Sequence, residues 1–71
     1  VQYMRSIKPK EIIRLLQDRG FYIHHQRGSH VYLKSYSDPT ILVTVPLHNK
    51  DLKIGTLLSI LRQAGISKED V

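Results

Sequence analysis

From His30 to Lys34 the chain alternates without a break, with His30, Tyr32 and Lys34 on one side and Val31 and Leu33 on the other. A period of two is the signature of a half-buried strand. The same alternation precedes Gly28: Phe21 and Ile23 point one way, Tyr22 and His24 the other. Arg27-Gly28 between the two runs reads as a turn, so the runs form a hairpin. One face of that hairpin needs an apolar cover. The other carries imidazole, phenol and ammonium groups, an odd set for plain packing.

The cover comes from two amphipathic segments. Residues 9–19 read as a helix, with Pro9 at the first helical position and Glu11 in the first turn, where negative charge is favourable. Ile12, Leu15 and Leu16 form its apolar stripe, Ile13 lies beside it, and Gly20 ends it as a left-handed cap. Residues 53–64 read as a second helix with a buried stripe of Ile54, Leu57, Leu61 and Ala64, Leu58 at its edge and Gly65 as its cap. The strands are expected at 21–26, 29–36 and 40–45, the last two joined by Ser37-Asp38-Pro39. Residues 67–70 look like the start of a short terminal turn.

The order is therefore α-β-β-β-α: an α+β chain with a three-stranded antiparallel sheet and both helices on one face. That is the layout of the double-stranded-RNA-binding fold, and a fold alone does not give a function. A three-residue loop, Gln26-Arg27-Gly28, would pair Ile23 with Val31, Phe21 with Leu33, Tyr22 with Tyr32 and His24 with His30. His25 would then sit at a core edge. Pairing Val31 near Val45 would bring His48 toward His30.

With 71 residues the chain is one domain, read as 4–71 with Met4 as the native start and residues 1–3 foreign to it. A domain this small buries a modest core, so a partner or a weak homodimer contact would add stability. There is no cysteine, hence no disulfide and no thiolate metal site, which fits a reducing cytoplasm. No apolar run is long enough to span a membrane, and no signal peptide is visible. Eleven Lys+Arg against six Asp+Glu leave a net charge of +5, spread along the chain. That field favours acidic partners, nucleic acid among them.

On such a face His30 has two readings. It is a general acid or base acting on an RNA 2′-hydroxyl or leaving oxygen, or it is a surface histidine on a solvated strand. RNA carries its own nucleophile, so no metal or other cofactor is required. His48 is a second proton carrier, a phosphate ligand or a loop histidine. His24 is the better placed of the adjacent pair for the open face. Four histidines without cysteine and without a carboxylate at ligand spacing do not make a metal site. A Ser-His-Asp arrangement is conceivable from Ser29 or Ser35 with Asp38 or Asp51, but no nucleophile elbow accompanies it. Tyr22, Tyr32 and Tyr36 could stack on bases. Arg27, Lys34, Lys50 and Lys53 would ring the site and contact phosphate, with a merely solvated basic face as the plain alternative. Gly55 falls in the first turn of the second helix, where a close backbone approach or a bound anion would explain it.

Several segments together resemble a known family. They are Lys8-Pro9-Lys10-Glu11-Ile12-Ile13, Gly20-Phe21, Gln26-Arg27-Gly28-Ser29-His30, Thr44-Val45-Pro46-Leu47-His48, and the run from Gly55-Thr56-Leu57 through Gln63-Ala64-Gly65. From about Ser6 onward the chain resembles the HicA-type toxins of prokaryotic type II toxin–antitoxin systems. The resemblance implies a cytoplasmic mRNA interferase with a double-stranded-RNA-binding-like fold, cleaving RNA without a metal and arresting growth. It implies that His30, in the Gly-Ser-His element, is catalytic, and that a HicB-type antitoxin is the partner. Arg27, Ser29, Tyr32, Lys34, His24, His48 and Lys53 are then the RNA-binding candidates. Two departures stand out: Val31 occupies a position where many members carry a second histidine, and Asn49 one that is often glycine.

Two rivals remain. A non-catalytic RNA-binding module on the same fold would bind RNA in a salt-dependent way without cutting it. A pure interaction protein would bind an acidic partner and ignore RNA. Only the nuclease needs an imidazole at position 30.

Overall fold

A computed structural model describes residues 7–48, 50–67 and 69. The order is α1 (Pro9–Asp18), β1 (Phe21–Arg27), β2 (His30–Ser35), β3 (Leu42–Pro46) and α2 (Ile54–Ala64). The strands form one antiparallel sheet in the order β1-β2-β3. This is the expected α+β arrangement of the double-stranded-RNA-binding type. The expectation of a native start at Met4 and of residues 1–3 as foreign falls outside the described residues, as do Asn49 and half of the expected terminal turn, Lys68 and Asp70.

Both helices cover the same face of the sheet. Val31 pairs with Val45 and Leu33 with Val43, and all four side chains are buried in one cluster with Ile12, Leu16 and the α2 residues. The expected Val31–Val45 register is thus the observed one. Burying branched aliphatic side chains at about 1.5–3 kcal/mol each is the main force holding the helices down. On α1 the buried residues are Pro9, Ile12, Ile13 and Leu16, while Leu15 lies at the margin. Ile13, not Leu15, therefore belongs to the stripe. On α2 the buried residues are Leu57, Ile60 and Leu61. Ile54, expected in that stripe, is 55% exposed. It is the first residue of the helix, and the apolar stripe projects there beyond the buried layer.

The helix ends follow their sequence signals. Glu11 Oε1 accepts the backbone N–H of Lys8 at 3.1 Å, so the first-turn acid ties down the helix entrance. Gly65, at φ 71°, provides the left-handed exit of α2. The segment before α1 and the loop before α2 are joined by a bond from the Leu52 N–H to the Ile7 carbonyl at 2.8 Å, with both side chains buried.

The first hairpin departs from its expected register. Its turn is two residues long, Gly28-Ser29, closed by Arg27 opposite His30. Gly28 has φ +58°, as a type II′ turn requires at its first central position. Continued without interruption, that register would turn Ile23 toward the open face and Tyr22 toward the helices. The apolar alternation demands the reverse. A bulge at His24 absorbs one residue and satisfies both, leaving Ile23 opposite Leu33, Tyr22 opposite Lys34 and Phe21 opposite Ser35. The pairings of Phe21 with Leu33, Ile23 with Val31, Tyr22 with Tyr32 and His24 with His30 are therefore corrected.

Candidate nucleic-acid interface

The face of the sheet away from the helices is set by β2. Val31, Leu33 and Ser35 are buried toward the helices, so His30, Tyr32 and Lys34 project to the open side. From β3 come Thr44 and Pro46, half-buried between the inward Val43 and Val45. From β1 come Tyr22, His25 and Arg27, through their pairing with Lys34, Tyr32 and His30.

His30 is exposed and sits in the middle strand, flanked by Arg27 on β1 and Pro46 on β3. Its ring carries no hydrogen bond among the described residues, which leaves both nitrogens to solvent or a ligand. The residue facing His30 across the ladder is Arg27, where His24 was expected. Ser29 lies in the turn, and its carbonyl accepts the Leu47 N–H at 2.5 Å. This bond ties the end of β3 to the start of β2 and brings the backbone of His48 beside the His30 turn, as the sequence pattern anticipated. Tyr32 is the next residue on the His30 face. Lys34 shares the face but lies four residues along the strand, roughly 13 Å from His30. It serves the far end of the face.

Beyond Pro46 the surface opens into a cleft of about 590 Å³ lined by Pro46, His48, Lys50, Asp51, Lys53 and Thr56 among others. Lys53 is the residue preceding α2, with no side-chain hydrogen bond capping the helix and no acid in the first turn. Gly55 lies in that turn, as expected, and a Cβ built there meets nothing within 4 Å. Close packing is thus not the reason for glycine at this position. Lys8 reaches Asp51 across 3.4 Å at the surface.

His24 and His25 were expected on opposite faces, with His25 at a core edge. The two-residue turn and the bulge together overturn this. His25 stacks on Tyr32, ring centroids 4.5 Å apart and planes 11° from parallel. His24 meets His25 through their Nδ1 atoms at 2.7 Å, one ring donating and the other accepting. His25 is the ring residue that sequence reasoning missed. The signal was present: a Gly-Ser turn and an apolar alternation of opposite parity require an extra residue between them.

Among the described residues no group of three or more histidines and carboxylates is placed to hold a metal ion. No helix among them is long and apolar enough to cross a membrane. A family model described as the HicA toxin of bacterial toxin–antitoxin matches residues 9–66. No curated protein matches the sequence.

Proposed function

The chain belongs to the HicA family, the toxins of bacterial toxin–antitoxin systems, and on that premise we propose that it is an endoribonuclease that cuts mRNA with His30 as general acid/base. The observation that carries the reading is the position of His30, exposed on the open face with Arg27 paired to it across the β1–β2 ladder. In the proposed reaction the imidazole takes the proton of a ribose 2′-hydroxyl. The 2′-oxygen forms a bond to the adjacent phosphorus, the bond from phosphorus to the 5′-oxygen breaks, and the 5′-oxygen takes the proton back from the imidazolium, leaving a 2′,3′-cyclic phosphate and a 5′-hydroxyl. An imidazole can serve at either end of this transfer. Arg27 offsets the charge that builds on the phosphoryl oxygens. The nucleophile is the substrate's own 2′-hydroxyl, so the proposed step does not need a metal to generate one.

Ser29 and Tyr32 flank His30 and would position the strand, while His48 and Lys53 line the neighbouring cleft and would hold phosphates. Lys34 would bind phosphate at the distal end, and His24 would contact bases. A HicB-type antitoxin would neutralise the toxin by covering this face.

The test is cleavage of a defined mRNA, in EDTA, by the wild-type protein and by folded His30→Gln. The reading expects cleavage by the first and intact RNA with the second. If both bind RNA in a salt-dependent way and neither cuts, the chain is the non-catalytic RNA-binding module of the same fold.

A further inference from the structure

Five rings form a continuous row across β1 and the end of β2. Tyr36 and Tyr22 lie 4.6 Å apart, Tyr22 and His24 6.5 Å, His24 and His25 4.9 Å, and His25 and Tyr32 4.5 Å. We propose that this row is a stacking platform for unpaired bases of single-stranded RNA, with the strand running from Tyr36 to Tyr32 and its backbone reaching His30. The proposal rests on the reading of this face as the RNA-cleaving surface and adds to it the substrate's form and the residues that hold it.

Three observations support the platform. First, the rings are not core. Tyr36 is 73% exposed, and both histidines are exposed. A base laid on them would cover apolar ring surface that now faces water. Second, the bulge creates the row. In a regular strand His24 and His25 would point to opposite faces. The bulge turns both rings into one line between Tyr22 and Tyr32, and bulges are a recurrent means of re-aiming side chains at functional sites. Third, cations flank the row. Lys34 lies opposite Tyr22, Arg27 opposite His30, and the chain carries a net +5. That combination of π-faces and positive charge suits a strand with exposed bases and a phosphate backbone.

A duplex cannot use such a surface, because its base faces are already stacked on one another. The layout of the fold is that of double-stranded-RNA binders, yet the sheet face of this chain offers contacts only an unpaired strand can make. The rings are tilted to one another by 38°, 55° and 76° along most of the row. The bases would therefore lie splayed, about two or three of them as on other sheet platforms. Every base has a π-face, so the row itself confers little sequence preference.

The test uses His30→Gln protein, so that RNA stays intact, and fluorescence anisotropy with a short unstructured RNA. The competitors are the same strand annealed to its complement and an abasic ribose-phosphate strand. Tyr36→Ala is added on the same background, its fold checked by circular dichroism, with Tyr36→Phe as the conservative variant. The expected result is single-strand binding about tenfold tighter than duplex binding, a loss of about tenfold with Tyr36→Ala, and near-normal binding with Tyr36→Phe. Binding of the abasic strand should not change with Tyr36→Ala. Equal or tighter duplex binding, or an unchanged affinity with Tyr36→Ala, overturns the platform. Cleavage by protein with His30 intact is scored separately. Duplex preference with cleavage that depends on His30 sinks the platform alone, and ring-dependent single-strand binding without cleavage sinks the nuclease alone. If no RNA is bound, both fall.

Discussion

Arg27 stands directly across the β1–β2 ladder from His30, as the closing pair of the two-residue Gly28-Ser29 turn. The pairing puts a permanent cation with five donors next to the only imidazole on the central strand. A guanidinium there can hold phosphoryl oxygens in a fixed geometry while the imidazole moves protons.

Arg27→Ala should therefore slow single-turnover RNA cleavage by about tenfold to a hundredfold, the scale seen when one donor to a developing oxyanion is lost. Arg27→Lys should recover part of the rate, because a lysine keeps the charge but not the fork. Affinity for uncut RNA should fall less than the rate does. An unchanged rate with Arg27→Ala would remove this residue from the reaction.

Gly28 sets this geometry. At φ +58° a side chain is strained, and nothing lies within 4 Å to compensate or obstruct it. Gly28→Ala should lower stability by about 1–2 kcal/mol, read as a shift in the urea midpoint without a change in slope. A midpoint equal to wild type would show that the turn tolerates a side chain and that the His30–Arg27 pairing does not depend on glycine.

Much of the architecture was readable from period and punctuation. The 3.6-residue stripes of α1 and α2, Pro9 at the entrance of α1 and Gly65 at the exit of α2 all act locally, so the sequence pattern exposes them. The Val31–Val45 pairing was readable too, because slipping it by one would turn buried valines outward. The first hairpin was not. Its turn length and its apolar pattern each favour a register, and the two are incompatible by one residue. Alternation alone predicts a regular strand through His24 and His25. Only the conflict, weighed explicitly, predicts a bulge. The two-residue turn set Arg27, not His24, opposite His30 and put His25 opposite Tyr32, and the bulge then left His24 as the extra residue beside His25. Ile54 failed for a different reason: a helical stripe says which face is apolar, not how far the layer beneath it extends.

Gly55 offers a prediction of opposite sign to Gly28. It occupies the first turn of α2 with helical backbone and open space where a Cβ would go. Gly55→Ala should raise stability by about 0.5 kcal/mol, through lower unfolded-state entropy and better helix propensity. Thermal unfolding would read this as a small rise in midpoint. A fall instead would mean that the glycine relieves a strain the backbone does not reveal.

Leu33 measures how little stability the core has to spare. It is fully buried on the central strand, opposite both Ile23 and Val43. Leu33→Ala should cost about 2–5 kcal/mol, a large share of what a domain of this size holds. The variant should populate unfolded chain at moderate temperature and lose both RNA binding and cleavage together. That joint loss contrasts with His30→Gln, which should lose cleavage with the fold intact.

Asp38 gives the β2–β3 connection a pH dependence. Its Oδ1 accepts the Thr40 hydroxyl at 2.6 Å and the Thr40 N–H at 3.1 Å, and the Ile41 N–H bonds the Asp38 carbonyl across Pro39. The Thr40 hydroxyl, then its backbone N–H, hold the carboxyl below its ordinary 3.8. A carboxylate with a lowered folded pKa contributes stability that is fully present above 3.8 and is lost as pH falls through the lowered value. Because the group is fully exposed, solvent screening keeps the effect small. Comparing urea midpoints of wild type and Asp38→Asn from about pH 6 to about pH 2 should show wild type losing its advantage at the acid end. Parallel curves for the two proteins would mean that the Asp38–Thr40 bonds do not persist in solution.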